Sequence, residues 1–358
     1  MSKPIERPEM PTFLSQVLVS MDKFRGTATA RQLCDSVAKI VARINMTVDV
    51  QPMSDGGEGF RESFVGDVVV VDVPGPLGTV VAAPITLGNS PEGTLAFLEV
   101  SEVVGRSHLI EPTSAQAIEA SSAGVGHLIL AAAQLGASSI LIGCGGSATS
   151  DGGLGCYQVL RDAGGLPVAV TAATDVTARF SELIRYAEQK GVSPDDMKII
   201  KQRVDEARSL YVVEQGVDVE MLERSGASGG IPGGLAALGA ELTSGLDAVA
   251  RSVNLEQRIE RSSLVITGEG RLDHGSLDGK VTGGIAALLS GDTALLVVCG
   301  SIEMVAAQEF RSRYPLANLV SLVDRFDQRT AMTDVFGCVE LVVTEELEKY
   351  SSWLRTVN

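Results

Sequence analysis

The sequence predicts an α/β fold with two domains, on three observations. Short apolar runs that end in Gly, Asp or Ser alternate with stretches of helical period, a pattern typical of strands that feed helices in a mostly parallel sheet. The length of 358 residues is a prior for two domains. Between residues 67 and 100 the sequence becomes Val-rich with Pro and Gly turns, which indicates where a second domain begins.

Strands are predicted at five apolar runs, in chain order 17–21 (VLVSM), 140–143 (ILIG), 264–268 (LVITG), 294–300 (ALLVVCG) and 319–323 (LVSLV). The final segment, ELEKYSSWLRTV, suits an amphipathic helix that docks on the first sheet. Such a helix would place both ends of the chain in one domain. We therefore predict a Rossmann-like or flavodoxin-like parallel-sheet domain made of residues 1–65 and 262–358.

Residues 66–261 are predicted to form an inserted mixed α/β domain. Its first part, with VVVVDVPGPLGTVVAAPITLG and TLAFLEV, is typical of antiparallel hairpins or a mixed sheet. Residues 193–219 open with Ser-Pro-Asp-Asp, a good N-cap and first turn, and continue with apolar positions three and four apart. That segment predicts one long surface helix.

The composition excludes several classes of protein. A formal charge of −16 disfavours nucleic-acid or anionic-membrane partners, because both need a basic face. Residues 1–16 lack the apolar stretch of a secretory signal, and no later run is long enough to span a bilayer. The five cysteines are scattered without CxxC spacing, so neither a disulfide framework nor a zinc site is expected. We expect a cytoplasmic protein that could form a homodimer.

A glycine-rich loop, ILIGCGGSATSDGGLG at residues 140–155, follows a predicted strand and precedes a predicted helix. Backbone N–H groups in such a turn can bind an anion. Gly143, Gly145 and Ala148 fit the dinucleotide pattern G-x-G-x-x-A, but Asp151 would face the pyrophosphate. A phosphate held with a metal ion or a cationic side chain is therefore favoured over a nicotinamide cofactor. Alternatively, the glycines only permit tight packing.

Three further loops carry charged residues at strand ends. PMSDGGEGF places Asp55 and Glu58 around a Gly-Gly turn, which suits a metal, a hydroxyl awaiting deprotonation, or merely an acidic surface turn. VLVSMDKFRGTATA brings Asp22, Lys23 and Arg25 before a helix, where Arg25 could clamp a carboxylate or phosphate. Helix capping with nearby charges would explain those residues equally well.

The third loop, VITGEGRLDHGSLDGK at residues 265–280, has the composition that phosphoryl transfer requires. Acids can hold Mg²⁺ and cations can neutralise the transferred charge. Ligands of open α/β sheets bind at the carboxyl ends of strands, where this loop lies. Its charged residues are Glu269, Arg271, Asp273, Asp278 and Lys280. The chain lacks G-x-x-x-x-G-K-[ST] and H-R-D, so it is neither a P-loop protein nor a protein kinase.

In order and spacing, these segments resemble the type I glycerate kinase family. DKFRGTATA is similar to the family's D-S-F-K-G-S opening and SDGGEGF to D-G-G-E-G-T. SSAGVGHLI is similar to T-S-x-G-x-G-E-L-I, and IGCGGSATSDGGLG to G-x-G-G-S-A-T-x-D-G-G-x-G. TGEGRLDHGSLDGK resembles T-G-E-G-x-x-D-x-Q-T-x-x-G-K. The resemblance extends from residue 17 to about residue 289.

The resemblance implies transfer of the γ-phosphoryl group of ATP, with Mg²⁺, to a hydroxyl of D-glycerate, giving ADP and 2-phosphoglycerate in the cleft between the domains. Asp175 is the leading candidate to accept the hydroxyl proton, with Asp55 second. Lys190 and Lys280 would neutralise the transferring charge, and Glu269 with Asp273 would hold Mg²⁺. Arg25 and Arg271 would bind carboxylate or phosphate. Further candidate substrate or phosphate contacts are Asp22, Gly145, Gly146, Ser147, Thr149 and Asp151, the last of which either orients a ligand or holds its loop.

Three departures from the family pattern concern the expected substrate contacts. The family's Lys in the first loop is Arg25, its Glu before Leu-Ile is His127, and D-V-x-N-P-L has become DVTARF at residues 175–180. These differences leave two alternatives, a kinase of another small hydroxy acid and a non-catalytic metabolite-binding paralogue. An NAD-dependent oxidoreductase is a third alternative, supported only by the pattern at Gly143.

Overall fold

A computed structural model describes residues 16–90, 92–277, 279–289 and 293–357, with side chains up to residue 350. The segment 1–15 and Asp278 thus lie outside the described residues. The strands are β1 (Gln16–Val19), β2 (Thr47–Val50), β3 (Asp67–Pro74), β4 (Val80–Ser90), β5 (Gly93–Glu99), β6 (Ser139–Cys144), β7 (Ala169–Thr174), β8 (Glu241–Ser244), β9 (Leu264–Thr267), β10 (Arg271–Leu272), β11 (Ala294–Cys299), β12 (Ser301–Ile302) and β13 (Ala317–Ser321).

The helices vary from single turns to one helix of 23 residues at the end of the described chain. They are α1 (Ala30–Arg43), α2 (Ser101–Val104), α3 (Ser114–Glu119), α4 (Ala123–Gln134), α5 (Leu154–Asp162), α6 (Met197–Gln215), α7 (Ile231–Ala237), α8 (Gly245–Ser252), α9 (Leu255–Glu260), α10 (His274–Leu277), α11 (Val281–Leu288), α12 (Met304–Arg313), α13 (Leu322–Phe326), α14 (Gln328–Thr333) and α15 (Val335–Val357).

Both ends of the chain contribute to the first sheet, whose order is β13-β11-β9-β1-β2 with every pair parallel. Its central strands are apolar on both faces. In β1, Val17 and Val19 belong to one core with α1 and α15, whereas Leu18 belongs to a second core on the other face. Burial on both faces is what continuous apolar runs in a parallel sheet require, so the predicted class of fold is confirmed.

The second sheet has the order β3-β4-β5-β6-β7-β8. β3, β4 and β5 pair antiparallel, as the Val-rich hairpin pattern predicted, and β5 to β8 run parallel. The sheet is therefore mixed, with its parallel half on the side of β8. The division at residues 65/66 and 261/262 stays a prediction, and α8 and α9 pack in the same core as Leu18 and Val265 of the first sheet.

The two predicted helices differ from the observed ones only in length. The segment predicted as a helix at 193–219 contains α6, preceded by a 3-10 turn at Pro194–Asp196. The closing helix begins earlier than its sequence pattern indicated, at Val335, and Val339 and Val343 pack in the core that contains Leu33 and Val37 of α1. Across the described segments, no helix combines the length and the apolar character needed to cross a bilayer.

Candidate active site

Loops at the carboxyl ends of strands in the two sheets touch one another. The turn after β2, which carries Asp55, packs against the end of β7. A Cβ atom added to Gly56 would lie 3.0 Å from the carbonyl carbon of Thr174, and one added to Gly145, after β6, would lie 2.5 Å from Gly57 Cα. Such contacts leave no room for side chains. They fix a cleft with strand ends from both sheets around it.

A lysine lies between carboxylates at the centre of this cleft. Lys23 Nζ is 3.8 Å from Asp22 Oδ1 and 3.7 Å from Asp55 Oδ1. Burial raises the pKa of Asp22 to about 6, against the opposing charge of Lys23. Burial alone would lower the pKa of Lys23, but the charges of Asp22 and Asp55 outweigh it and the pKa is raised. The ammonium group is therefore held in its charged form.

Asp175 and Glu269 bring two more carboxyl groups to the cleft from the ends of β7 and β9. Burial, together with the charge of Asp55, raises the pKa of Asp175 to about 6. Burial also raises the pKa of Glu269 to about 7, against the effect of the nearby Thr282 and Ser276 hydroxyls. Glu269 Oε1 and Thr282 Oγ1 are buried without a hydrogen-bond partner in the described residues. Buried polar atoms of this kind are commonly satisfied by a water molecule, an ion or a ligand.

Two cavities open beside this group of carboxylates. The larger, about 650 Å³, is lined by Asp22 and Lys23 together with Arg25 and His108. The smaller, about 470 Å³, is lined by Asp55, Asp175 and Lys280, with Arg185 and Arg224. Lys23 of the larger cavity contacts Asp55 of the smaller. The ion-paired group of Asp22, Lys23 and Asp55 therefore lies where the cavities meet, and we call this place the junction. Two substrates can thus approach it from two sides.

The glycine-rich loop after β6 uses its bare backbone mainly for packing. Besides Gly145 against Gly57, a Cβ on Gly143 would enter the Phe60 ring at 2.5 Å from Cγ. Gly146 adopts φ +69°, a conformation that favours glycine. The packing interpretation of this loop therefore accounts for Gly143 and Gly145, whereas binding of a phosphate by Gly145 or Gly146 stays a prediction.

Asp151 is engaged by its own loop and by the start of α4. Its Oδ2 accepts hydrogen bonds from Ser122 N at 2.8 Å, Ser122 Oγ at 2.8 Å and Gly155 N at 3.2 Å. Its Oδ1 accepts one from Gly153 N at 3.1 Å. Both carboxylate oxygens are thus used inside the protein. This geometry supports the alternative in which Asp151 holds the loop rather than orienting a ligand.

Replacing Asp151 with Asn is expected to lower the free energy of unfolding by about 1–3 kcal/mol, because an amide nitrogen must face a backbone N–H donor. Urea unfolding followed by circular dichroism measures the change. Asp205→Asn, at an exposed position on α6, is the matched control and should leave stability within about 0.5 kcal/mol of the original. Equal stability of the two variants would contradict the holding role and return Asp151 to the list of ligand contacts.

Lys190 is buried beneath the same loop. Its Nζ donates to Ser147 Oγ at 3.1 Å and to the Thr149 carbonyl at 2.7 Å, and burial lowers its pKa to about 8. Thr149 Oγ1 and Ser150 Oγ are buried without partners among the described residues. Lys190 also lines a separate cavity of about 570 Å³. It therefore orders the loop, and contact with a transferring phosphoryl group stays a prediction.

Two residues of the loop after β9, Arg271 and Asp273, line neither of the two cavities. The side chain of Arg271 is 67% exposed, with Nη2 3.8 Å from Glu303, and it lines neither of the two cavities. Asp273 Oδ1 accepts a hydrogen bond from Gly275 N at 3.0 Å. Arg271 therefore lies on the surface in this arrangement, and its catalytic role stays a prediction. The alternation of β10 explains this position, since it buries Leu272 and turns Arg271 outward.

The departures from the family pattern fall at different places. Residues 175–178 line the smaller cavity, so the DVTARF segment does lie at the candidate site. His127 is exposed on α4 and lines neither of the two cavities. Arg25 lines the larger cavity. Arg25 and residues 176–178 are thus the departures that can act on specificity.

Sequence reasoning missed three cationic or supporting groups. The sequence showed Lys23 beside Asp22 but indicated no function for it. Arg224, whose Nη1 lies 3.3 Å from Thr174 Oγ1, lines the smaller cavity from the segment between α6 and α7. Glu99, buried at the end of β5, accepts hydrogen bonds from Gly59 N at 2.9 Å and Arg61 N at 3.2 Å. The sequence signal for Glu99 was a charged residue near the end of the apolar run TLAFLEV.

Comparisons with known proteins identify the family and the fold. A family model described as the glycerate kinase family matches residues 17–164 and 168–336. The chain is similar to glycerate 2-kinase of Escherichia coli, with 31% identity over 315 residues, 76% of this chain and 81% of that protein. It is also similar to glycerate kinase of Halalkalibacterium halodurans, with 28% identity over 330 residues, 81% of this chain and 86% of that protein.

Among solved structures, the fold is similar to that of a protein from Salmonella typhimurium LT2 assigned as glycerate kinase 2. The TM-score is 0.76 at 23% identity, and the match covers 95% of this chain and 99% of the other. At this identity the likeness concerns the fold, which it shows to be shared over nearly the whole of both chains.

Proposed function

Because the chain belongs to the glycerate kinase family and is an enzyme of that family, we propose that it transfers the γ-phosphoryl group of ATP to a hydroxyl of D-glycerate. The products would be ADP and phosphoglycerate, with 2-phosphoglycerate favoured because the Escherichia coli relative is named a glycerate 2-kinase. One observation carries the proposal. Two cavities meet at a buried group of carboxylates and lysine, which is the arrangement that transfer between two bound substrates needs.

We propose that Asp175 accepts the hydroxyl proton. Its pKa of about 6 makes it a stronger base than an ordinary carboxylate, while leaving it mostly ionised at neutral pH. In the reaction, the glycerate oxygen forms a bond to the γ-phosphorus as the bond from that phosphorus to the ADP oxygen breaks, and the hydroxyl proton passes to Asp175. Asp55, which lines the same smaller cavity, is the second candidate for the same role.

Cationic residues in the two cavities are proposed to bind the anionic groups. Lys280 lines the smaller cavity beside Asp175, and Arg25 lines the larger. Lys190 holds the Ser147 to Thr149 segment, and its third N–H could reach a ligand. Transition states of phosphoryl transfer are stabilised mainly by positioned positive charge. These side chains therefore have the chemistry that the proposed reaction demands.

The residues present are compatible with Mg²⁺ carried by the nucleotide. No group of three or more His, Cys, Asp or Glu side chains within the described ranges could hold a metal ion. Magnesium in kinases is commonly bound by one or two carboxylates together with substrate phosphates. Glu269, with an unpaired buried Oε1, suits that role, and Asp273 is the weaker candidate because Gly275 occupies one oxygen. The ion would neutralise phosphate charge.

Cytoplasmic location and a homodimer stay predictions.

The experiment that tests the proposal is ADP release by the purified protein with Mg-ATP, comparing D-glycerate with L-glycerate, glycolate, lactate and no acceptor. Release with D-glycerate alone is expected. Release with another hydroxy acid would favour the alternative substrate that residues 176–178 suggest. A folded protein that binds ATP but releases no ADP with any acceptor would contradict the proposed reaction.

A further inference from the structure

The ammonium group of Lys23 donates no hydrogen bond to the described residues. Its distances to Asp22 Oδ1 and Asp55 Oδ1, 3.8 and 3.7 Å, permit ion pairing but exceed hydrogen-bonding distance. Its side chain is only 18% exposed. Within the described residues, the three N–H groups of Lys23 are therefore free to donate to a ligand, while the charge is held in place by the two carboxylates.

Lys190 of the same protein provides a comparison, because its ammonium group is used in hydrogen bonds within the protein. Its ammonium donates to Ser147 Oγ and to the Thr149 carbonyl, and burial lowers its pKa to about 8. Lys23 differs on both points, since it has carboxylate neighbours that raise its pKa and no hydrogen-bond acceptor in reach. A charged donor without acceptors is suited to an incoming anion.

A phosphoryl group that crosses the junction of the cavities meets several carboxylates. Asp22 and Asp55 lie there, the charge of Asp55 contributes to the raised pKa of Asp175, and the charge of Asp22 contributes to the raised pKa of Glu269. Like charges would oppose its entry unless a cation lies at the same place. Lys280 lines the smaller cavity only. The charge of Lys280 also acts on Asp22 and Asp175. Lys23 differs in that it lines the larger cavity and lies 3.7 Å from Asp55 of the smaller, so it is a cation that borders both.

The position of Lys23 also departs from the family's opening pattern. Where DKFRG is aligned with D-S-F-K-G, Lys23 stands at the serine and Arg25 at the lysine. The positively charged side chain nearest the junction is thus one residue after Asp22 in this chain. Arg25 instead lies at an exposed position of the larger cavity. The family pattern alone would not place a cation between Asp22 and Asp55.

We propose that Lys23 is a further catalytic residue, whose ammonium donates hydrogen bonds to the phosphoryl oxygens as the group passes from ATP to the acceptor. This inference rests on the proposed function. The bond from the γ-phosphorus to the ADP oxygen breaks, the bond to the glycerate oxygen forms and the hydroxyl proton goes to Asp175. Lys23 keeps its proton throughout and stabilises the charge on the transferred group.

The test compares Lys23→Ser, Lys23→Met and Lys23→Arg with Lys39→Ser, an exposed lysine on α1 outside both cavities. The Ser and Met variants are expected to lose about 10- to 100-fold in kcat, the range for one hydrogen bond to a charged group. KM values for ATP and D-glycerate should change by less than about threefold, since the contact forms during transfer. Lys23→Arg should retain more activity than either.

A binding measurement separates a catalytic contact from a merely structural one. Calorimetry is run with Mg-ADP alone and with Mg-ADP, aluminium fluoride and D-glycerate, a mimic of the group in transfer. Lys23→Met should bind Mg-ADP normally but bind the mimic at least about 10-fold more weakly than the original protein. Lys39→Ser should match the original in both.

Three outcomes would overturn the inference in distinguishable ways. Unchanged kcat and mimic binding in a folded Lys23→Met would show that Lys23 is only a counter-ion. Equal weakening of Mg-ADP and mimic binding would assign it to nucleotide binding instead. An original protein that releases no ADP with any hydroxy acid would overturn the proposed function together with the role of Lys23.

Discussion

Asp175→Asn is expected to lower kcat by about 10³-fold while the protein stays folded, since a positioned general base contributes about 10²–10⁴-fold. The amide keeps the shape of the carboxyl group but cannot accept the hydroxyl proton. In the original protein, kcat/KM should fall as the pH decreases through about 6, where burial places the pKa of Asp175. Initial rates between pH 5 and pH 8 measure both effects, and the acid limb that belongs to Asp175 should disappear in the variant.

Stability provides the internal control for this variant. The pKa of Asp175 is raised from 3.8 in a free carboxyl to about 6 in the fold, so ionisation of this group opposes folding. Its contribution is thus most favourable below the unfolded value and is lost as the pH rises through about 6. Asp175→Asn removes that loss, and its free energy of unfolding at pH 7.5 should equal or exceed that of the original protein.

Asp205→Asn, exposed on α6, is the matched substitution and should change neither rate nor stability. A normal kcat in Asp175→Asn would move the proton-accepting role to Asp55, for which Asp55→Asn is then the decisive variant. Loss of activity accompanied by a large loss of stability would instead indicate that Asp175 supports the loop after β7.

Sequence patterns predicted the strands and the loops that carry chemistry, because both depend on local properties. Asp22, Asp55 and Glu269 each follow an apolar run, and the rule that ligands bind at strand ends was the argument for the loop of Glu269, whereas Asp175 was found through the family resemblance. Their meeting at one junction depends on how the loops of two sheets pack, which no local pattern contains. The role of Lys23 became visible only with that packing.

Arg271 and Asp151 show what sequence reasoning could not resolve. Arg271 lies two residues after Glu269, but β10 turns its side chain outward. A strand of two residues is too short for its alternation to be recognised in the sequence. Asp151 was ambiguous because its partner Ser122 is 29 positions away. Nearness in sequence to a functional residue therefore predicts the neighbourhood of a side chain but not its direction or its partners.

Gly145→Ala is expected to lower kcat by at least about 10²-fold, because it would displace the turn that carries Asp55, and small misplacements of reacting groups have effects of this size. The new Cβ would lie 2.5 Å from Gly57 Cα and 3.2 Å from the Gly56 carbonyl oxygen. Both neighbours are backbone, so no flexible side chain can move aside. Overpacking of this kind also lowers the free energy of unfolding by about 1–3 kcal/mol.

Gly136→Ala is the control that separates displacement from general destabilisation. Gly136 has φ +92°, so alanine there is strained, but apart from its chain neighbours no heavy atom of the described residues lies within 4 Å of its Cβ position. The strain should lower stability by about 1–2 kcal/mol without changing kcat. Similar stability in the two variants, with a loss of rate in Gly145→Ala alone, would assign the contact between the loops of the two sheets a function in catalysis. Equal rates would show instead that the Asp55 turn tolerates displacement, and that the glycines after β6 serve only the fold.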